Sequence, residues 1–424
     1  MSKSVAAGGP PRMLASFKPA AGVIKEDYED FVVEEVPLYA PSETGTHTYF
    51  LVEKRGLSTL QAVHDIAYAL NVRRRDIGYA GLKDARAVTR QWMSIEHVAP
   101  EQVQALQISR LGVLATARHT NKLRLGHLVG NRFQIKVRRS EGHRLAELQD
   151  ALATLVKQGV PNYFGRQRFG GRGDAWQVGR AVVRGDLEEA LDAVLGRPTD
   201  RDEGGVRRAR QLYEQARYED AARAWPGMFR DERRALRALQ RTRGKKRRAF
   251  LAIDRTLRRF YVSAYQSYLF NQVVAERLPA GLGRLMPGDL AWVHASGAVF
   301  TVEDPAVEQP RADAFEISPS GPLFGYRMTQ PSRQPGALEA QVLAEEDLAP
   351  EAFRSDTLRL KGGRRPLRFP VQEASIRLGA DGRGAYLELR FFLPRGCYAT
   401  ALLRELFADE TTVTGDDGGT EDPT

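Results

Sequence analysis

Phe133, Ile135 and Val137 alternate with Gln134, Lys136 and Arg138, the two-residue period of a half-buried strand. Phe31-Val32-Val33-Glu34-Glu35-Val36 predicts another, at an edge or half-buried. Between them the period changes. Ser58 with Gln61 three residues on is a capping-box pattern, opening a helix with Leu60, Val63, Ala67 and Leu70 on one face. Leu145, Leu148, Leu152 and Leu155 form a second helical stripe, which stops at Gly159. From about 180 to 260 the pattern is almost continuously helical and dense in Arg, Glu and Ala. Tyr265, Leu269, Val273 and Leu278 carry that spacing onward. Residues 285–340 turn to Pro, Gly and short apolar runs such as Ala291-Trp292-Val293, which predicts a small β-rich or mixed region. Strand pattern returns after 365. Ser375-Ile376-Arg377-Leu378 and the stretch from Ala385 to Phe392 flank Asp381-Gly382-Arg383-Gly384, a hairpin, and Tyr398 to Phe407 follows as a helix.

The β-rich ends therefore bracket a different middle: one domain interrupted by an inserted second one. The boundaries expected are a flexible lead over 1–20, a first part over 21–178, an insert over 179–339, a second part over 340–408, and a disordered acidic tail over 409–424. A length of 424 residues suits about two cores. The net charge of +10, carried mostly by Arg, suits a phosphate-rich partner. Cys397 is the lone cysteine, so no disulfide forms within the chain and a reducing cytoplasm is expected. No apolar run approaches the ~18 residues of a membrane span, and the opening residues lack a signal-peptide pattern, so a soluble chain without membrane association is expected.

The seven histidines are scattered without metal-ligand spacing, so no metal is expected. P-loop, dinucleotide-fingerprint and serine-elbow patterns are missing, so no cofactor is expected either. Two other runs stand out. Gly78 to Trp92 (G-Y-A-G-L-K-D-A-R-A-V-T-R-Q-W) sets one carboxylate, Asp84, between Lys83 and Arg86. An aspartate is a ready base or nucleophile at neutral pH, and Lys25 or the nearby cations are placed to hold its charge. Asp84 also suits a turn former, the reading that local spacing favours. Gly159 to Gly170 (G-V-P-N-Y-F-G-R-Q-R-F-G) mixes Tyr163, Phe164 and Phe169 with Arg166 and Arg168. Its rings stack bases and its arginines hold phosphates, or the rings are core and the arginines solvated. Lys122-Leu123-Arg124-Leu125-Gly126 and Gly130-Asn131-Arg132-Phe133 form a third mixed cluster. The run Arg241 to Arg248, with Arg255, Arg258 and Arg259 beyond, is a solvated helix face or a phosphate-binding one.

Five stretches resemble the TruD family of tRNA pseudouridine synthases: Lys25 to Glu35, Gly78 to Trp92, Lys122 to Phe133, Gly159 to Gly170, and Phe392 to Leu406, with Ser263 to Leu278 a weaker sixth. They occur in the family's order, and this overturns the turn-former reading of Asp84. The resemblance implies an α+β fold, a mixed-sheet pseudouridine synthase catalytic domain interrupted by an inserted α/β TRUD domain. It implies isomerisation of uridine to pseudouridine in tRNA, at position thirteen for bacterial members, by a chain needing no cofactor, metal or obligate protein partner, and expected to be a monomer. Asp84 becomes the catalytic residue. Phe31, Asn131 and Tyr398 line the substrate site, with Lys25 and Phe133 beside them. Tyr398 stands where bacterial relatives carry Phe. Tyr163, Arg166, Arg168, Lys122 and Arg124 are the expected RNA contacts. Two rivals are weighed: a catalytically silent RNA-binding or RNA-chaperone protein on this scaffold, against which the intact Asp84 counts, and an RNA methyltransferase, whose cofactor loop is missing.

Overall fold

The computed structural model describes residues 9–355 and 358–408; residues 1–8 of the expected lead and the whole expected acidic tail over 409–424 lie outside the described residues. The chain forms two compact units. One holds Arg12–Asn162 and the described chain from Arg368 onward, the other Tyr163–Leu367. The composition shift places the changeovers at 178 and 339, whereas packing places them at 162 and 367. The reason lies in the helices Ala175–Val183 and Arg333–Glu345, both of which pack on the long helix Arg255–Arg277. At Gly179 any Cβ would meet the Tyr261 carbonyl oxygen at 2.0 Å, so only glycine allows that helix crossing. Composition marks where charge density changes; contacts mark where the core changes.

The first unit is a sheet of nine strands. Its main path runs Gln372–Asp381, Gly384–Pro394, Leu128–Arg138, Phe31–Pro37, Val88–Glu96, His47–Arg55 and Leu111–His119, with Val23–Ile24 and Gly78–Tyr79 added alongside. Pairings are antiparallel except that between Phe31–Pro37 and Val88–Glu96. The 31–37 strand is central in the sheet, flanked on both sides, rather than an edge. Its half-buried pattern arises because Phe31, Val33 and Glu35 face the covered side. The expected hairpin forms across Gly382 and Arg383, with Asp381 opposite Gly384. Arg138 fixes it, donating to Asp381 at 2.7 and 2.8 Å and to buried Asp30 at 2.7 and 3.0 Å. These charge-assisted bonds push the Arg138 guanidinium upward and Asp381 downward from their ordinary pKa values.

Two apolar cores lie on the covered face. Helices Leu145–Gln158 and Ala399–Leu406 close one with Ile135, Leu389 and Phe391, and helix Thr59–Ala69 closes the other with Phe50, Val52 and Met93. The capping box at Ser58 forms in both directions, at 3.2 and 3.0 Å. The face this helix buries is Thr59, Ala62, Val63, Ile66 and Ala67, while Leu60 is half exposed. The apolar stripe is thus shifted from the one the sequence suggests, because Thr59, Ala62 and Ile66 join Val63 and Ala67 in filling it. Of the expected mobile lead, residues from Arg12 are anchored. Arg12 donates to the Phe407 carbonyl at 3.0 Å, the Met13 amide donates to Glu405 at 2.9 Å, and Ala20 bridges to Phe407.

The second unit is helical from Ala175 to Arg277, and carries a four-stranded antiparallel sheet in the order Val299–Thr301, Leu290–Val293, Ile317–Leu323 and Gly363–Pro366. Buried ion pairs Arg277–Asp289 and Arg364–Glu339, each at 2.7 Å, tie this sheet to the helices around it. No helix among the described residues is long and apolar enough to cross a membrane.

Candidate active site

Strand register brings polar side chains together between the two cores. Lys54 pairs with Thr89, Thr89 with Val33, Val33 with Phe133, and Phe133 with Phe391. Two residues along, Glu35 pairs with Asn131 and Asn131 with Leu393. Because side chains alternate across a sheet, all of these lie on the covered face. Lys54, Thr89, Gln91 and Glu35 are buried at inward positions, where apolar residues would be ordinary.

The loop from Ala80 to Ala87 hangs over this polar strip by four ties. The Lys83 ammonium pairs with the Glu35 carboxylate at 2.6 Å, with both side chains almost fully buried. The Lys83 amide donates to the Thr59 hydroxyl at 2.8 Å, and that hydroxyl donates to Gln91 at 2.9 Å. Gln91 in turn donates to the Gly81 carbonyl at 3.2 Å. The Lys54 ammonium donates to the Leu57 carbonyl at 2.5 Å and to the Asp84 carbonyl at 3.3 Å. Burial drives the Lys54 amine down to about 7; the Asp84 charge works against that fall and Lys83 adds to it.

Asp84 is left with its carboxylate half-exposed and aimed. Lys25 ion-pairs with it, and the Arg86 amide donates to its Oδ1 at 3.3 Å. Lys25 sits in the left-handed backbone region, φ 60°, a conformation costing roughly 1–3 kcal/mol that its surroundings must impose. Its ammonium also lies 4.4 Å above the Phe31 ring. Phe31 meets Phe133 edge-on at 6.1 Å, and Phe133 stacks on Phe391 at 5.0 Å. One catalytic candidate, its cation and an aromatic wall are therefore contiguous. A cleft of about 460 Å³, lined by Glu26, Asp27, Tyr28, Gly56, Ala85 and Arg86, opens beside the loop.

Asn131 adds an acceptor. Its Oδ1 is buried without a hydrogen-bond partner among the described residues, a costly state that a bound donor would relieve. The preceding Gly130 is obligatory, since a Cβ there would meet the Leu393 carbonyl oxygen at 2.1 Å. Tyr398 is half-buried at the N-cap of helix Ala399–Leu406, four residues after the strand that ends at Pro394, opposite Gly130.

The expected RNA contacts divide. Lys122 and Arg124 line a second cavity of about 550 Å³, with Tyr39, His119 and His127. Arg166 is exposed. Arg168 and Tyr163 are buried, which corrects the view of them as surface groups. The Arg168 guanidinium donates to Ser267 at 3.0 Å and lies over Phe164, while Asn271 clamps the Phe164 backbone through bonds of 2.9 and 3.0 Å. Tyr163, Phe164 and Arg168 of that run therefore belong to the buried part of their unit, while Arg166 stays outside it. Sequence reasoning missed Lys54, Glu35, Thr59 and Gln91 as parts of the site. Polar residues at inward strand positions were the available signal. Among the described residues no cluster of His, Cys, Asp and Glu suits a metal ion.

Comparison with known proteins shows what the chain as a whole is similar to. The family model for tRNA pseudouridine synthase D (TruD) matches residues 11–406. The chain is 46% identical over 400 residues to the tRNA pseudouridine synthase D of Geobacter metallireducens, covering 94% of this chain and 98% of that protein. It is 38% identical over 397 residues to that of an Anaeromyxobacter species, covering 93% and 95%. The crystal structure of a putative tRNA pseudouridine synthase D from Methanosarcina mazei superposes with a TM-score of 0.81 at 28% identity, over 92% of this chain and 94% of that one.

Proposed function

The chain belongs to the tRNA pseudouridine synthase D (TruD) family, and on that premise we propose that it isomerises a uridine of tRNA, at position thirteen, with Asp84 as the catalytic carboxylate. The observation that carries this is the Lys25-paired Asp84 poised beside Phe31, on a sheet face that also presents the orphaned Asn131 oxygen.

A base inside an RNA stack is out of reach, so the target must first flip out, at a cost of a few kcal/mol. Rings at Phe31 and Tyr398 return part of that by stacking, worth roughly 1–3 kcal/mol per base. Asn131 Oδ1 is an acceptor and matches the N3 proton of uracil, which cytosine lacks. The Asp84 oxygen then attacks the ribose anomeric carbon or takes the 2′ proton; both routes start from the same atom and break the glycosidic bond. The uracil turns and its carbon 5 bonds the anomeric carbon, displacing the Asp84 ester oxygen in the first route or with return of the 2′ proton in the second. Loss of the carbon 5 proton and protonation of N1 then complete the exchange and free the Asp84 carboxylate. Lys25 keeps the carboxylate aimed, and its fixed positive charge compensates the anion before and after attack. The reaction conserves atoms and electrons.

The test is release of tritium from carbon 5 of uridine in transcribed tRNA with no added cofactor, with the product mapped by position. Release from a position other than thirteen would move the target, and no release from any tRNA would remove the reading. The chain is read as a monomer acting in the cytoplasm, where a lone Cys397 stays reduced. Light scattering at the mass of one chain checks the first point.

A further inference from the structure

Between Glu232 and Asp254 the chain has nine lysines and arginines and no acidic residue. Helix Arg230–Arg241, a short turn and helix Lys246–Leu251 carry them. Ala235, Leu236, Ala238, Leu239, Ala249 and Phe250 face inward and pin both helices, so the long cationic side chains are left outside. Two of the nine have partners: Arg234 pairs with Asp231 at 3.3 Å and Lys246 with Asp192 at 2.7 Å. Arg237, Arg241, Arg243, Lys245, Arg247 and Arg248 are exposed, and none forms an ion pair among the described residues.

Other exposed arginines of the same unit do have acidic partners. Arg197 pairs with Glu189 at 2.5 Å, Arg217 with Asp220 at 2.7 Å, and Arg223 with Glu219 at 2.8 Å, the last one helical turn away. An ordinary solvated face is built in that alternating way. Here the like charges of Arg237 and Arg241 stand one turn apart, the connecting turn adds Arg243 and Lys245, and the next helix adds Arg247 and Arg248. Such repulsion destabilises a helix unless a polyanion relieves it. Guanidinium groups fork onto phosphate oxygens, and a dense set of them with no acidic neighbour in sequence suits a phosphodiester backbone better than scattered carboxylates.

We propose that this surface binds the phosphate backbone of RNA, as a second contact carried by the helical unit and distinct in its residues from the Asp84 site. It rests on the reading of tRNA as substrate. Its role is affinity and not chemistry, because none of its residues belongs to the Asp84 site.

The experiment compares full-length wild type with a variant in which all six cations become Gln, and with a control carrying R197Q, R217Q and R223Q. Affinity for transcribed tRNA is measured by fluorescence anisotropy across a salt series, and turnover at saturating RNA is measured separately. In the six-fold variant affinity at low salt should fall about tenfold or more, and the slope of log K against log salt should shrink by about 0.7–0.9 per phosphate released. Turnover at saturation should hold, and thermal stability at low salt should rise as repulsion is removed. The control should leave the salt slope unchanged. An unchanged slope and affinity in the six-fold variant overturns the proposal. So does competition by polyglutamate but not by RNA homopolymer, which would assign the surface to an acidic protein. Asp84→Asn run in parallel separates the two readings: persistent turnover there removes the catalytic assignment and leaves the salt slopes to judge the surface alone.

Discussion

The cations around Asp84 and those on the 230–251 helices have the same chemistry and opposite circumstances. Lys25, Lys54 and Lys83 are buried or nearly so, and each has a designated acceptor: the Asp84 carboxylate, two main-chain carbonyls, and Glu35. Arg237, Arg241, Arg243, Lys245, Arg247 and Arg248 are exposed and have none among the described residues. A desolvated cation is expensive unless paired, so where it persists it fixes geometry. An exposed one costs little, holds no geometry, and is available to a partner. Position in the solvent, and not residue type, separates a positioning charge from a binding one.

The sharpest break of that comparison is Asp84→Asn. It keeps size and fold, and should lower pseudouridine formation by on the order of 10³-fold or more while tRNA affinity stays near wild type. Turnover within tenfold of wild type would show that the paired cations surround a merely structural carboxylate. Lys83→Met comes next. It strands the Glu35 charge in a site with no exposure and should cost about 3–5 kcal/mol in chemical denaturation. The double variant Lys83→Met with Glu35→Leu should recover most of that loss, whereas Arg241→Gln on the exposed surface should cost nothing measurable. Equal losses at Lys83 and Arg241 would erase the distinction.

Lys54 supplies a pH test of the same idea. Its folded-state pKa of about 7 lies below that of an unfolded lysine, about 10.4. The unfolded state therefore binds more protons between pH 7 and 10, and stability rises with pH through that window. Below pH 7 the burial penalty is present in full. Lys54→Met removes the titrating group, so the variant's stability advantage over wild type should be largest near neutral pH and should shrink by a few kcal/mol toward pH 10. A gap that is flat with pH would mean Lys54 stays charged throughout. The smallest effect is expected at Tyr398. Tyr398→Phe should retain most activity, since the ring survives, and Tyr398→Ala should lose roughly 1–3 kcal/mol of binding to the substrate or transition state. A Tyr398→Phe enzyme that binds tRNA normally yet barely turns over would give the phenol a proton-transfer role.

Local rules in the sequence determined the elements whose causes lie within a few residues. The Ser58–Gln61 box, the alternating strand around Ile135, the stop at Gly159 and the hairpin at Gly382 each depend on neighbours along the chain. Asp84 and Lys25 stood out because a loop of that composition is itself a local statement, and family likeness supplied the role. Tertiary structure decided what depends on distant partners. Runs 78–92 and 159–170 read alike, with glycines, rings and cations. Yet Arg168 is buried on Ser267, 99 residues away, while Lys25 reaches Asp84 across 59. The inward placement of Lys54 and Glu35, the central position of the 31–37 strand and the unit boundary at Asn162 follow from strand register and helix packing. Sequence pattern reports which groups are polar; only folding decides which of them lose their water, and that loss is what turns a charge into part of a site.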